Sequence, residues 1–401
     1  MNSNEKKILA ITCFGHFMCH FNMLVFPALV IPLMKTLSLD MAEVLRLSFW
    51  MYLLFGITAL PWGIITDRIG ARQILMLFFV GSGISAILAS FFISNPAIFS
   101  LMLAGIGLFS GIYHPAGLGL ISKGISRMSI ALGYNGMAGN AGLASAPIIT
   151  GIINYIWDER TAYLFVGILN LLGAVIMLIL LHEEPSKKIS KIEKGVRSSY
   201  ILGFLMLCFS MMLAGIAYRG STVILPSYFE LKNQELFRFL SSLNIIPNSP
   251  HLSATLFTSL VFLIGIMGQY IGGRFAERHD PKKAYLFFHL IPIFMAIGMA
   301  YTMDIWLILF SMTYLFFLLG MQPIENTLVA LLTPDSLRHS AYGTKFILTF
   351  GVGALSVHMV GWIKESYSIS HVFVGMAGVS FLIVISILLL LIVTRSIELR
   401  S

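Results

Sequence analysis

Long apolar runs, separated by short polar or basic turns, recur along the whole chain. They lie near residues 8–34, 44–66, 71–93, 96–122, 130–156 and 161–182, and again near 200–227, 253–276, 283–302, 305–332, 338–363 and 371–394. Each is about as long as the roughly 20 residues a helix needs to cross a hydrocarbon core. Backbone groups in lipid must bond within their own segment, so runs of this length predict helices. Outer-membrane strands would be about ten residues of alternating polarity, and that alternation is missing. The pattern therefore predicts an all-α membrane protein with twelve transmembrane helices. They fall into two pseudo-symmetric six-helix bundles, 1–182 and 200–401, joined by a cytoplasmic linker at 183–199.

Composition agrees with the pattern. Of 401 residues, 57% are hydrophobic and 11% charged, and the mean hydropathy is +0.88. A soluble domain carries about 25% charged residues. The net charge of +8 could suit nucleic acid, but no basic-aromatic patch or soluble domain carries it. Of the 26 lysines and arginines, 18 lie in the even-numbered connections and the two terminal segments, and six lie on the opposite side. The positive-inside rule then places both termini in the cytoplasm of a bacterial inner membrane. No small-residue cleavage site follows the N-terminal stretch, so the first span is expected to be retained. Cys13, Cys19 and Cys208 lie in apolar runs without ligand spacing and read as free thiols. In the outer connection 230–252, Leu236, Phe237, Leu240 and Leu243 are spaced as on one helix face, which predicts a short interfacial helix.

A cytoplasmic turn repeats about half a chain apart. After the second span comes Gly63-Ile-Ile-Thr-Asp67-Arg68-Ile-Gly70-Ala-Arg72, and after the eighth Gly273-Arg-Phe-Ala-Glu277-Arg278-His-Asp280-Pro-Lys282. Gly63 and Gly273 let neighbouring helices approach closely. Asp67 can accept bonds from a helix N-terminus or an arginine, making a clasp that closes one face. Gly63, Asp67, Arg68 and Arg72, with Gly273, Glu277 and Arg278, are therefore candidate gating residues. Twin halves with matching turns suit two bundles working around a central site.

The first turn resembles the hallmark of the major facilitator superfamily, which implies that fold and alternating-access transport. A narrower resemblance is to the fosmidomycin-resistance-like efflux branch. It rests on Gly15-His16, Tyr113-His114-Pro115, Gly139-Asn140-Ala-Gly142, Tyr342-Gly343 and Phe350-Gly351-Val-Gly353-Ala354. His20 stands where that branch often has an acid. Span five also partly resembles the antiporter pattern of that superfamily, as Gly142-Leu-Ala-Ser-Ala146-Pro147-Ile-Ile-Thr150-Gly151, which in the family goes with export. Leu101 replaces an arginine that many drug exporters carry.

Ionisable groups at bilayer depth cost at least about 2.5 kcal/mol, so each calls for a reason. Arg219, and Glu325 in Gln322-Pro323-Ile-Glu325-Asn326, are expected to face a central cavity, with a buried structural ion pair as the alternative. Lys345 either joins them or snorkels to the cytoplasm. His16 and His20 share a helix face, and His114 joins them as a candidate through the resemblance. A proton relay or substrate contact is expected there. Two histidines do not make a metal site, no acid or cysteine is placed to complete one, and no metal or other cofactor is expected. His20, His289 and His358 also read as packed residues bonded to backbone. The candidate substrate and proton residues are thus His16, His20, His114, Asn140, Arg219, Gln322, Glu325, Asn326 and Lys345.

No nucleotide-binding signature is present, which leaves an ion gradient as the energy source, and the histidines and Glu325 suit protons. The expectation is a monomeric, proton-coupled exporter of a small amphipathic or anionic compound, not an enzyme. Symport uptake of an anionic metabolite or metal chelate is the alternative within transport. A non-transporting membrane sensor or scaffold is the alternative outside it.

Overall fold

A computed structural model describes residues 1–180, 198–333 and 338–395, so the linker 183–199 lies outside the described residues up to position 197. Among the described residues there is no strand. Among the described residues eleven helices are long and apolar enough to cross a membrane, and the bent pair Met41–Ile57 and Ala59–Ile69, taken as one span, makes twelve.

Proline places the breaks. Span two bends by 48° between those two helices. Pro61, four residues after Ile57, has no N–H to give that residue's carbonyl. Span four breaks in the same way, into Pro96–Ser110 and Tyr113–Gly124, four residues before Pro115. Spans one, three, five and six are the continuous helices Ser3–Ala28, Ala71–Phe92, Met128–Ile156 and Glu159–Leu180. In the second half, spans seven to ten are Ser198–Lys232, Pro250–Arg278, Pro281–Tyr301 and Asp304–Leu332. Span eleven runs from Arg338 to Ser366 through a π-helical stretch at Ile347–Gly351 and a 3₁₀ turn at Val352–Ala354. Span twelve is Ile369–Val393. The expected helix in the outer connection is Gln234–Ser242, held by Asp304, whose carboxylate accepts from the Leu236 N–H at 2.9 Å.

Contacts divide the chain into two compact units, Met1–Ile189 with Ser249–Ser259, and Ser190–Asn248 with Leu260–Ser401. Within the first, span one packs on span five and span three on span six. Within the second, span seven packs on span eleven and span nine on span twelve. Lipid offers no hydrophobic drive for helices to associate, so close backbone approach at small residues does that work. A side chain on Gly142 would sit 2.2 Å from the Phe17 carbonyl oxygen, and one on Gly215 would sit 2.1 Å from that of Thr349. These two contacts hold the corresponding helix pairs of the two units. Outward faces are apolar, with Phe91, Leu101 and Ile392 exposed by 67%, 63% and 69%, as suits a surface against lipid.

Gly142→Ala should therefore destabilise the protein by about 1–3 kcal/mol, the usual cost of overpacking. Gly136→Ala on the same helix, with nothing within 4 Å of the added carbon, should be neutral or stabilising. Detergent-solubilised thermal unfolding of both variants checks this, and equal midpoints would contradict it.

Candidate functional site

In the first unit, three histidines converge. His16 and His20, one turn apart on span one, place their Nε2 atoms 3.1 Å from each other. His114, on the second helix of span four, meets His16 edge-on at 5.3 Å and His20 at 5.4 Å between ring centroids. One nitrogen from each of the three rings falls within 4.8 Å of the others. His16 Nδ1 lies 2.8 Å from the Asn135 carbonyl, so it donates there and its Nε2 is left as an acceptor. The His16 ring stacks on Tyr113 at 4.9 Å, and an added carbon on Gly139 would strike it at 2.7 Å. Tyr113 is itself fixed, donating to the Thr12 carbonyl and accepting from the Asn135 amide, each at 2.7 Å. The Gly15-His16 and Tyr113-His114 pairs thus belong to one packed cluster. Gly15 leaves room for the Tyr113 ring, which an added carbon would meet at 2.8 Å.

His114 thus meets the helical pair, as the resemblance implied. The cysteine expectation changes: the Cys19 thiol lies 3.9 Å from His114 Nε2, so a cysteine does stand beside the cluster. His20 is half-buried against the His16 imidazole, and His358 is exposed and so is not a packed interior residue. His289 is buried, edge-on to Tyr285. Asn140 is half-buried beside Gly139.

In the second unit, Glu325 is 1% exposed and Lys345 Nζ lies 2.7 Å from its Oε1. The same ammonium donates to Asn326 Oδ1 at 2.5 Å, and Tyr285 donates its hydroxyl proton to Glu325 Oε2 at 2.8 Å. Lys345 therefore turns inward and does not snorkel. The desolvation of one charge is offset by the other and by the polar groups on Glu325 and Lys345. Gln322 accepts from Gln269 at 2.8 Å. Arg219 is 3% exposed, with its guanidinium 5.7 Å from the Tyr218 ring centre. Glu325 is thus ion-paired with Lys345 inside the second unit.

At the paired turns, Gly63 sits against Pro115 and Gly273 against Pro323, with 3.4 and 3.6 Å available to an added carbon. The two copies of the turn thus touch equivalent prolines of spans four and ten. Asp67 pairs with Lys123 at 3.1 Å. Arg68 is exposed and Arg72 half-buried. In the second copy Glu277 and Arg278 are exposed, and it is Asp280 that accepts from the Lys282 and Lys283 N–H groups and caps span nine. The first copy opens span three with Gly70 at φ 114°, a conformation that favours glycine.

Sequence reasoning missed Asn135, Tyr285 and Gln269. Asn135 had one usable signal, a polar residue one turn before Gly139 in an apolar span. Tyr285 and Gln269 are ordinary in sequence, and only the packing makes them partners.

A sequence profile described as the Major Facilitator Superfamily matches residues 12–357. The Multidrug resistance protein MdtG of Proteus mirabilis (strain HI4320) is 26% identical over 347 residues, covering 82% of each chain. The solved nucleoside transporter NupG superposes with a TM-score of 0.76 at 14% identity, over 96% of this chain and 99% of that one. A POT family transporter in complex with 5-aminolevulinic acid gives 0.76 at 16% identity, over 95% of each. At such identities the likeness of structures concerns the fold. The profile match, the twelve spans and the paired turns make the chain a member of the major facilitator superfamily, a multi-pass membrane transporter and not an enzyme.

Proposed function

We propose that this chain is a proton-coupled exporter of a small anionic compound, working by alternating access as a monomer in a bacterial inner membrane. In this reading both termini are cytoplasmic, and two six-helix bundles, 1–182 and 200–401, move about the linker 183–199. Similarity to a multidrug resistance protein supports export, as do the resemblance to the fosmidomycin-resistance-like branch and the Pro147 pattern of span five.

The observation that carries proton coupling is the buried contact of Glu325 with Lys345. A proton added to Glu325 removes the charge that holds Lys345. The released ammonium sits at the end of Arg338–Phe346, immediately before the π-helical stretch Ile347–Gly351. Such stretches often mark places where a helix rearranges. Proton loading can thus be passed to the geometry of span eleven, with Tyr285, Asn326 and Gln322 shaping the surroundings. Glu325→Gln should abolish accumulation driven by a proton gradient in liposomes while sparing substrate exchange. A variant that still concentrates substrate against its gradient would remove Glu325 from the coupling.

Substrate charge follows from the buried inventory. Arg219 stays charged at any physiological pH, Lys345 is a second buried cation, and Glu325 is neutral once loaded. The loaded second unit then carries excess positive charge in a low dielectric, for which an anionic group is the natural partner. Arginine's planar fork fits carboxylate or phosphonate oxygens. Anionic compounds should compete for transport at least about tenfold better than lipophilic cations, a difference of about 1.4 kcal/mol. Arg219→Ala should erase that preference, and better competition by cations in the unmodified protein would refute it.

The gate reading rests on Asp67. Its pairing with Lys123 involves side chains 72% and 40% exposed, so it adds little to stability. A transport defect in Asp67→Asn would then report on closure rather than on folding. That variant should lose at least about tenfold in transport rate at near-normal expression, and a normal rate in reconstituted vesicles would end the clasp idea.

A further inference from the structure

The three-histidine cluster of the first unit is not used by the coupling scheme above. We propose that His16, His20 and His114 form a binding site for a divalent transition metal ion, Zn²⁺ above all. The site would be tetrahedral, with the fourth position open to water or to a ligand atom brought in by the cargo.

Distances come first. In a tetrahedral zinc site with Zn–N of about 2.0–2.1 Å, two ligand nitrogens lie about 3.3 Å apart. His16 Nε2 and His20 Nε2 are 3.1 Å apart, so the helical pair already has the spacing of two ligands. The third nitrogen is within 4.8 Å of both and needs to close by about 1.5 Å to match that tetrahedral spacing. His114 sits just past the break at Gly111–Ile112, where Tyr113–Gly124 begins, so its helix is not locked to the preceding one.

Proton placement agrees. A ligating imidazole ordinarily donates its other N–H to a carbonyl or carboxylate, which fixes ring and tautomer. His16 does this toward the Asn135 carbonyl at 2.8 Å, leaving the Nε2 lone pair turned into the cluster. Stacking on Tyr113 and the closeness of Gly139 hold the ring in that orientation. With His16 as acceptor, the 3.1 Å contact requires His20 to carry its proton on Nε2. When a metal enters, that proton moves to His20 Nδ1, and all three rings ligate in the neutral form. No net proton is taken up or released, and no electron moves.

The donor set selects the ion. Imidazole nitrogens suit zinc, copper, nickel and iron, whereas calcium, magnesium and manganese prefer oxygen ligands. Among the described residues of the first unit no lysine or arginine is buried, so no fixed cation opposes a divalent ion there.

The test uses untagged protein, stripped of metal with a chelator and titrated with Co²⁺. The proposal expects one ion per chain, a tetrahedral visible absorption band, and displacement of that band by Zn²⁺. His16→Gln, His20→Gln and His114→Gln should each weaken binding by at least about tenfold. The double variant His279→Gln/His371→Gln, at two exposed positions, should bind as the unmodified protein does. X-ray absorption on the unmodified loaded protein gives a reading independent of any variant's folding, and should count three imidazoles around the metal. Failure to saturate at millimolar Co²⁺, binding that survives in His16→Gln/His114→Gln, or an all-oxygen shell would each overturn the site. None of these outcomes depends on Glu325, so this proposal and the proton-coupling reading stand or fall separately.

Discussion

Close approach of helix backbones at glycine is the contact on which the rest of this structure depends. Apolar side chains gain little by leaving lipid for a protein interior, so helices in a bilayer hold together through fit. Gly142 brings span five against the Phe17 carbonyl of span one. One turn earlier on span five, Gly139 meets the His16 ring, and a further turn back the Asn135 carbonyl accepts the hydrogen bond from His16 Nδ1. The imidazole cluster is therefore a consequence of that packing. Gly215 does the same for spans seven and eleven, at the π-helical stretch that follows Lys345.

The two units share a plan and differ in chemistry. Each has a turn with a glycine against a proline, and each carries a polar cluster on the span that holds that proline. His114, the residue before Pro115, meets His16 and His20; Glu325 and Asn326, just after Pro323, meet Lys345. Imidazoles can stay neutral when buried, so the first cluster persists without a counter-charge. A buried carboxylate needs one, and Lys345 with Tyr285 provides it. In both units a polar cluster thus includes a residue next to a proline inside a span.

Much of this was legible along the chain. Twelve apolar runs mark the spans because a helix in lipid must be long and apolar, a requirement every segment meets alone. The paired turns were legible because Gly63 and Gly273 recur with acids and bases at fixed spacing. Glu325 and Lys345 stood out because a charge inside an apolar run is rare. The breaks in spans two and four follow from Pro61 and Pro115, although which carbonyl each proline would lose is evident only once the helix is set.

The sequence by itself determined the solvent, the spans and the rare charged residues, because those depend on composition within one segment. Which groups meet was decided only by tertiary structure. That Lys345 turns inward to Glu325 and to Asn326, 19 residues away, is visible only in the packed structure. That His114 joins a histidine pair 98 and 94 residues earlier is a matter of helices brought together in the fold. Side chains from separate helices find one another through backbone fit, and the contact Gly142 makes with Phe17 is a property of two helices together.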